Sequence, residues 1–406
     1  MNNGNLRKLA LVWGALMIAV ISSTVTLVVS GRLGRGESES QRWVTEAEYE
    51  TIQRYSRLDE VRQTMLRDYY KELDDDTLVL GAIRGMTGAV DDPYTFYYTP
   101  EELKRENEDT AGVYFGIGTL LQNTVEGEIE IVRVFPDSPA EAAGLHTGDV
   151  ILAVDGNPVT GADGRSYLDA VRRMRGGEGS QVTLTVRRDG ERIAIPVVRA
   201  DVKISYASYQ VLPGNIGYIN ISQFSGDASR VFHEAIDAFK KQGVAGLVLD
   251  VRNNPGGLLD QAVSIADTLL PKGIIVYTRQ RDGSRQDYYS DAAYYDVPLA
   301  VLVNGMSASA SEILAGSVQA LGRGTVVGLR TYGKGVVQSL QTFREDNAGM
   351  QLTTASYFDA LDRCPQGVGV QPDIEVALEG STLRPDPDPQ SDNQLAEAIR
   401  VISEQS

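Results

Sequence analysis

Apolar residues recur with different periods along the chain, and the changes of period divide it into segments. Within residues 43–97 they return at three- and four-residue steps, as at Tyr49, Ile52 and Tyr55, which is typical of a helical stripe. A second helix is expected to follow Asp76, which can cap it. No pattern in this segment suggests chemistry, so we interpret its stripe as a packing or dimer face.

In residues 98–200 apolar residues recur with a shorter period, which predicts a β-rich domain. The stretch "QVTLTVRR" alternates apolar and polar side chains, Asp189 and Gly190 supply a tight turn, and "ERIAIPVV" follows. This arrangement predicts a β-hairpin. One helix is expected near Gly164–Met174.

Continuous apolar strands alternate with helical stretches in residues 201–378. The strands are "IGYINI", "AGLVLDVR" and "PLAVLVNG". Strands of this kind, joined by helices, imply a sheet that is buried on both faces. We therefore predict an α/β fold with its largest core here, followed by an acidic tail with one possible helix in residues 379–406.

The longest apolar run lies near the N-terminus. From Leu9 to Ser30 the chain carries no charge, it follows Arg7 and Lys8, and as a helix it is long enough to span about 30 Å of hydrocarbon. Its length favours an uncleaved signal anchor over a signal peptide, whose apolar region is usually about 7–15 residues. We predict a single-pass protein of the cell membrane, with a linker at residues 31–42 and the remainder outside the cytoplasm.

Composition narrows the classes of partner and cofactor. The 406 residues carry a formal net charge of −17, which disfavours nucleic acid as the main partner because phosphates require a basic face. A single cysteine, Cys364, excludes an internal disulfide framework and a cysteine-based metal cluster. The chain has two histidines, His146 and His233, as further candidate metal ligands, so we expect no metal site and no cofactor.

Three serines spaced two apart, Ser307, Ser309 and Ser311, lie where an apolar strand turns into a helix. A helix N-terminus offers unpaired N–H groups and partial positive charge, and both suit a developing oxyanion. Taken alone, a serine at this place is more often a helix cap than a nucleophile. A nucleophile also needs a base, and neither histidine accompanies a second motif here, so a Ser-His-Asp triad is not expected.

Lysine is the alternative base. Desolvation lowers the pKa of a lysine, and the neutral amine can then take a proton from serine. Lys334 lies between two glycines in "TYGKGVVQ", and Gln338 follows it. A further stretch, "LDVRNNPGG", ends an apolar strand at Gly256 and Gly257, whose N–H groups can face a carbonyl oxygen, although such a turn is also a common loop.

Four motifs in the same order carry a family resemblance. "LDVRNNPGG", "NGMSASASEILAG", "TYGKGVVQ" and "GVGVQPDIEV" resemble the carboxyl-terminal processing peptidases, also called tail-specific proteases, and the likeness extends over residues from about 50 to 376. It implies that Ser309 is the nucleophile and Lys334 the general base. It also implies that Gln338 orients the lysine.

The same resemblance implies a crotonase-like strand-helix catalytic core. It also implies an oxyanion hole made by the N–H of Ala310 and that of Gly256 or Gly257. One segment, "FDALDRCPQGVGVQPD", departs from the pattern of the family next to the substrate groove. Cys364 lies in it, and we interpret its thiol as idle.

The family carries an embedded PDZ domain, and residues 98–200 resemble one. "SPAEAAGLHTGDVILAVDG" is similar to the helix-turn-strand signature of PDZ domains, and "YFGIG" is similar to the loop that holds a terminal carboxylate. A protein tail adds to such a domain as an extra edge strand. The predicted tail-binding residues are Phe115, Gly116, Ile117 and Gly118.

The resemblance therefore implies an extracytoplasmic serine endopeptidase that works through an acyl-enzyme and binds proteins with apolar C-terminal tails. Arg175 in "MRGGEGS" is expected to couple tail binding to cleavage. Two alternatives remain open, namely a catalytically idle PDZ scaffold and a different hydrolase on the same fold. The stripe at residues 49–73 and the last helix are candidate homodimer surfaces.

Overall fold

The computed structural model describes residues 45–124, 127–159, 164–203, 205–379 and 387–405. The predicted anchor, Leu9 to Ser30, and the linker after it lie outside these ranges. Among the described residues, no helix has both the length and the apolar character required to cross a bilayer. The chain divides into two units after Ala82, within the segment predicted as residues 43–97.

The first long helix, α1 (Glu46–Asp68), carries the predicted apolar stripe. Its N-terminus is closed by a capping box, in which the Thr45 hydroxyl accepts the N–H of Glu48 and the Glu48 carboxylate accepts the N–H of Thr45. None of the residues of α1 is buried. The exposed members of the stripe are Tyr49, Ile52, Tyr55, Leu58, Val61 and Met65.

The second helix, α2 (Asp75–Gly88), begins slightly earlier than the sequence predicts. The carboxylate of Asp74 accepts the N–H of Thr77 at 2.9 Å and caps it, whereas Asp76, the predicted cap, lies inside the first turn. Two short elements follow, β1 (Phe96–Tyr98) and α3 (Pro100–Ala111).

The β-rich domain comes next and is a sequence of short strands with two helices. Its elements are β2 (Val113–Gly116), β3 (Thr119–Asn123), β4 (Ile129–Val134), α4 (Pro139–Ala142), β5 (Val150–Val154), β6 (Asn157–Pro158), α5 (Gly164–Met174), β7 (Gln181–Arg188), β8 (Glu191–Val198) and β9 (Ala200–Lys203).

An antiparallel sheet in the order β3-β4-β5-β7-β8, with β6 paired to β5, forms the body of this domain. The predicted hairpin is confirmed, since β7 and β8 pair from end to end. Its two turn residues, Asp189 and Gly190, have φ of 52° and 84°, as a tight hairpin turn requires. Because β3 is the first strand in this order, the edge that it turns away from β4 pairs with no strand among the described residues.

The remaining elements build the α/β body. They are β10 (Ala207–Leu212), β11 (Ile216–Ile221), α6 (Ala228–Gln242), β12 (Gly246–Asp250), α7 (Leu259–Leu269), β13 (Gly273–Gln280), β14 (Arg285–Ser290), β15 (Leu299–Val303), α8 (Ala310–Ala320), β16 (Thr325–Gly328), β17 (Val336–Thr342), β18 (Gly349–Phe358), β19 (Ile374–Glu375) and α9 (Asn393–Gln405).

A mixed sheet in the order β10-β11-β12-β15-β16-β19 forms the centre of this body, and only β10 runs antiparallel to its neighbour. Successive residues of β12 face two different cores. Leu247 and Leu249 pack in the cluster that contains side chains of α6, α7 and α8. Val248 packs with Leu395 and Ile402 of α9. The sheet is therefore buried on both faces, as its continuous apolar strands predict.

A second, antiparallel sheet contains β1, β18, β13 and β14, with β17 also paired to β18. Tyr97 of β1 lies opposite Met350 of β18, so the chain just before α3 belongs to this sheet. The carboxyl ends of β12 and β15 meet at one edge of the central sheet, and β17 begins close to Lys334 in sequence. These three segments supply the site described next.

Candidate active site

Ser309 lies where β15 turns into α8 and has a backbone φ of 54°. Positive φ is uncommon for a residue with a side chain, and such strain concentrates at functional sites. The neighbouring serines hold the turn from both sides. Ser307 Oγ donates to the carbonyl of Val251 at 2.7 Å, and Ser311 Oγ donates to that of Asn254 at 3.0 Å. Both serines therefore fasten the strained turn to the loop after β12.

A groove with a volume of about 500 Å³ passes over Ser309. Its walls come from α3, from the loop after Gly257, from the start of α8 and from β17. The apolar residues that line it are Leu258, Leu259, Ile313, Val336, Val337 and Leu340. A groove of this composition accepts an extended chain with apolar side chains.

Lys334 lines the same groove and is half-buried. Burial lowers the pKa of its amine, while the negative charges of Asp92 and Glu312 act in the opposite direction. A lysine with a lowered pKa can serve as a general base near neutral pH. In the described structure, Lys334 Nζ makes no hydrogen bond to Ser309 Oγ. It lies 4.4 Å from the centre of the Tyr94 ring.

One carboxylate joins the two predicted catalytic residues. Glu312 Oε2 accepts the backbone N–H of Ser309 and that of Lys334, each at 2.8 Å. Its Oε1 accepts the N–H of Gly333 at 2.7 Å and the hydroxyl of Thr331 at 2.6 Å. The residue is 1% exposed. Burial raises the pKa of Glu312, and these hydrogen bonds counteract part of that rise.

Tyr357 makes a second connection between the same two residues. Its buried hydroxyl lies 2.7 Å from the carbonyl oxygen of Lys334 and 3.1 Å from that of Ser309. Burial raises the pKa of Tyr357 well above its ordinary value, so the hydroxyl keeps its proton and donates. The backbones of nucleophile and base are thus held by groups on two elements, α8 and β18.

Gln338 lines the groove as well, but its amide faces elsewhere. Its Nε2 donates to Thr353 Oγ1 at 3.0 Å, and in the described part of the chain no hydrogen bond joins it to Lys334. The predicted orienting role of Gln338 therefore stays a prediction.

The two glycines proposed for the oxyanion hole differ in their partners. The N–H of Gly256 donates to Asn254 Oδ1 at 2.8 Å. Within the described residues the N–H of Gly257 donates to no protein acceptor, and that of Ala310 belongs to the first turn of α8, where N–H groups lack helical partners. The geometry therefore favours Ala310 with Gly257.

Gly256 contributes to the site through its lack of a side chain rather than through its N–H. A Cβ at this position would lie 2.7 Å from Ser309 Cβ, and its φ is 107°, a conformation suited to glycine. The residue lets the loop after β12 approach the strained turn.

The predicted tail-binding loop connects β2 to β3. Phe115 and Gly116 pair with Asp201 and Ala200 of β9, while Ile117 is 3% exposed and packs in the core of the domain. Gly118 has a φ of 83°. Neither Ile117 nor Gly118 donates its N–H to another group in the described ranges. The side chain of Phe115 lies outside what the structure describes.

Arg175 contacts the helix that borders the groove. Its guanidinium lies 3.0 Å from the carboxylate of Asp109 in α3. The next residue, Thr110, lines the groove, and its carbonyl accepts the N–H of Gly226 at 2.9 Å. A physical connection therefore runs from the β-rich domain to the groove.

Sequence reasoning missed four residues of the site. Glu312 had a local indication, since a carboxylate three residues after a serine at a helix start matches the capping-box pattern. Tyr357 had none, because its role depends on the pairing of distant strands. Asp92 and Tyr94 lie in a segment to which we assigned no chemistry, and the structure corrects that interpretation by bringing both to Lys334.

Three family models match the chain. One described as peptidase family S41 matches residues 215–376, one described as a PDZ domain matches residues 130–188, and one described as the activating protease CtpB N-terminal domain matches residues 21–102. Fold and site thus define a serine peptidase with a PDZ domain.

Individual relatives are more specific. The chain is 36% identical over 347 residues to the carboxy-terminal-processing protease of Bartonella bacilliformis, covering 83% of this chain and 78% of that protein. It is 32% identical over 378 residues to the carboxy-terminal processing protease CtpA of Bacillus subtilis, covering 92% and 78%. A solved photosystem II D1 C-terminal processing protease is 30% identical, with a TM-score of 0.50, covering 82% of this chain and 94% of that one.

This chain belongs to the carboxy-terminal-processing protease family, a group of S41 serine peptidases. The resemblance seen in its sequence is confirmed. It is an enzyme whose substrates are proteins recognised at their C-termini.

Proposed function

We propose that this chain is an extracytoplasmic serine endopeptidase that binds the tail of a protein at its PDZ domain and cleaves that protein with Ser309 and Lys334. The observation that carries the proposal is the Glu312 carboxylate, which accepts the backbone N–H of both residues beside one groove. The contact fixes the two backbones beside each other, and the half-buried amine of Lys334 lines the same groove as Ser309.

The reaction follows from these positions. Neutral Lys334 takes the proton of Ser309 Oγ as that oxygen forms a bond to the scissile carbonyl carbon, and the resulting oxyanion accepts the N–H of Ala310 and of Gly257. The proton then passes to the leaving amine as the C–N bond breaks, which leaves an acyl-enzyme. The neutral amine of Lys334 then deprotonates a water molecule, and this water releases the acyl group from Ser309. The Lys334 side chain leaves the face of Tyr94 to reach Ser309.

Tail recognition is assigned to the loop before β3 and to the open edge of β3. The N–H groups of Ile117 and Gly118 are available for a terminal carboxylate, and an extended peptide can pair with β3 as an additional antiparallel strand. We infer a preference for apolar C-terminal residues, together with the involvement of Phe115 and Gly116, from the family resemblance.

The contact of Arg175 with Asp109 supports a regulatory role for that arginine. Tail binding at the PDZ domain is expected to act on α3 through this ion pair, and α3 forms one wall of the groove. Cleavage would then depend on a bound tail.

Location and assembly belong to the proposal as well. The uncharged run from Leu9 to Ser30 supports a single-pass anchor in the cell membrane, with the catalytic part extracytoplasmic. The exposed apolar stripe of α1 supports a homodimer, because an apolar surface of this length is rarely left in water.

The proposal is tested with the full chain in detergent and an unstructured protein that ends in an apolar tail, free or amidated. Cleavage should be lost in Ser309→Ala and in Lys334→Ala, and should weaken when the tail is amidated. Ser317→Ala in the same helix, where the hydroxyl donates to the carbonyl of Leu314, serves as the matched control and should cut normally. Tail binding by wild type without any cleavage would favour the idle scaffold instead.

A further inference from the structure

The chain just before β1 reaches the predicted general base. The Nζ atom of Lys334 lies 4.4 Å from the centre of the Tyr94 ring, within the distance of about 6 Å at which an aromatic face attracts an ammonium ion. Both side chains are half-buried, and this attraction strengthens as water is excluded. The contact therefore favours the protonated form of the lysine.

The loop that carries the ring is held firmly. The carboxylate of Asp92 accepts the N–H of Tyr94 at 3.0 Å and the hydroxyl of Thr95 at 2.6 Å. Thr95 Oγ1 in turn accepts the N–H of Thr353 at 3.1 Å, and Thr353 Oγ1 accepts Nε2 of Gln338 at 3.0 Å. One chain of hydrogen bonds thus connects the Tyr94 loop to the strand on which Gln338 lies.

The charged groups around Lys334 come from two segments, the loop before β1 and α8. Asp92 and Glu312 contribute carboxylates that favour the ammonium form. Burial tends to raise the pKa of Asp92, but hydrogen bonds led by that from Thr95 outweigh it, so the carboxylate is ionised at neutral pH.

Three tyrosines complete these surroundings. Burial and the neighbouring Tyr332 raise the pKa of Tyr94 to about 12, and its phenol is therefore neutral. Tyr357, on β18, is neutral for the same reason, namely burial. Hence, within the part of the chain that the structure describes, the charges that act on the amine are the two carboxylates.

We propose that Tyr94 is a positioning residue for Lys334: its ring holds the charged ammonium between turnovers and releases the amine when it loses its proton. An uncharged amine has no such attraction to the ring, so deprotonation itself frees the side chain to move to Ser309. This inference rests on the proposed function, because it takes Lys334 as the base.

The test measures kcat/KM against pH for the full chain in detergent, with an unstructured protein that carries a free apolar tail. Tyr94→Leu should move the acid limb to lower pH by about 0.5 to 1 unit, because the charged amine loses a favourable contact. Tyr94→Phe keeps a ring and should keep the limb near the wild-type position. Tyr97→Leu, which removes a ring that packs against Phe343, is the matched control and should leave the limb in place.

A shape-preserving series guards against a folding effect. Phenylalanines with increasing numbers of fluorine atoms, introduced at position 94, keep the form of the ring while weakening its attraction for cations. The acid limb should move down stepwise with fluorine content. A limb that stays fixed across this series, or a Tyr94→Leu variant with reduced kcat and an unmoved limb, would overturn the inference.

The two proposals fail in different ways. Normal cleavage by Ser309→Ala or Lys334→Ala would remove the proposed function itself. Loss of cleavage in both variants, combined with a fixed acid limb in the Tyr94 series, would leave the function standing and remove only the role of Tyr94.

Discussion

The Glu312 carboxylate lies 2.8 Å from the backbone nitrogen of Lys334, and the same oxygen accepts the N–H of Ser309. Serine and lysine come from separate loops, and this contact, together with that of the Tyr357 hydroxyl, connects their backbones. The strained φ of the serine costs about 1–3 kcal/mol. The hydrogen bond from the Ser309 N–H to the Glu312 carboxylate acts against this strain.

Glu312→Gln tests this connection. Glutamine has the same shape, but its amide NH₂ cannot accept the N–H groups that now meet a carboxylate, and the Ser309 turn should shift. We expect kcat to fall by about 10²-fold, the loss typical of a displaced catalytic group. The exposed Glu345→Gln should cut as wild type. An unchanged kcat in the Glu312 variant would show that the carboxylate is not needed to position the site.

Gly256→Ala should inactivate the enzyme without unfolding it. The added Cβ would stand 2.7 Å from Ser309 Cβ, and either the serine or the loop must move. A loss of about 10²-fold or more in kcat is expected, with little change in tail binding. Gly283→Ala is the control, since its φ is also positive, at 85°, but its Cβ would meet open space. Equal activity of the two variants would contradict the close approach.

Activity should rise with pH through the titration of Lys334. Burial disfavours the charged amine and lowers its pKa, so the neutral base becomes abundant below the ordinary lysine value of about 10.4. Asp92→Asn removes a charge that favours the ammonium form, and its acid limb should lie at lower pH than that of wild type. Profiles of kcat/KM from about pH 6 to 10 provide the measurement. A kcat/KM that still rises at the upper end of this range, without levelling off, would argue against a buried base.

Arg175→Ala should separate tail binding from cleavage. The ion pair with Asp109 is lost, while the β3 edge and the loop at Gly118 remain. We expect unchanged affinity for a free peptide tail and at least about fivefold less stimulation of cleavage by that tail. Arg172→Ala provides the matched control, because this exposed neighbour pairs with Asp169 of its own helix. Normal stimulation in Arg175→Ala would exclude the coupling.

The sequence was sufficient for the elements and for the residues that carry chemistry in local motifs. The spacing of apolar residues predicted β11, β12 and β15 and the helices between them, because this spacing depends only on residues close together in the sequence. Ser309 and Lys334 stand in short motifs for the same reason. The cap of α2 was misjudged because several acidic residues adjoin its start, and local pattern does not choose among them.

Contacts between distant segments could not be predicted in this way. Tyr94 reaches Lys334 only because β1 pairs with β18 and β18 with β17. The spacing of apolar residues within each strand does not predict that register. The hydrogen bond between Gln338 and Thr353 could not be predicted from the sequence for the same reason. The single carboxylate between Ser309 and Lys334 was within reach of sequence reasoning, since its spacing from the serine is that of a capping box.

The stability of the site should depend on Arg252, which is 5% exposed and pairs with Asp250 and Asp392. Arg252→Ala leaves the Asp250 carboxylate buried without its positively charged partner, and the free energy of unfolding should fall by about 3–5 kcal/mol. Asp392→Asn keeps the inner pair and should cost clearly less. Urea unfolding of the full chain in detergent measures both. Equal losses would mean that the outer pair matters as much as the inner one.

The packing of α9 has a consequence for the order of events during synthesis. Asp392 reaches Arg252 just before α9 begins, and Leu395 and Ile402 cover one face of the central sheet. Ribosomes add residues in order, so this cover emerges after Ser309 and Lys334 have already been made. A growing chain therefore carries both reactive groups while its sheet is still open on one side. The last face of the central sheet is therefore covered only when the C-terminal segment is complete.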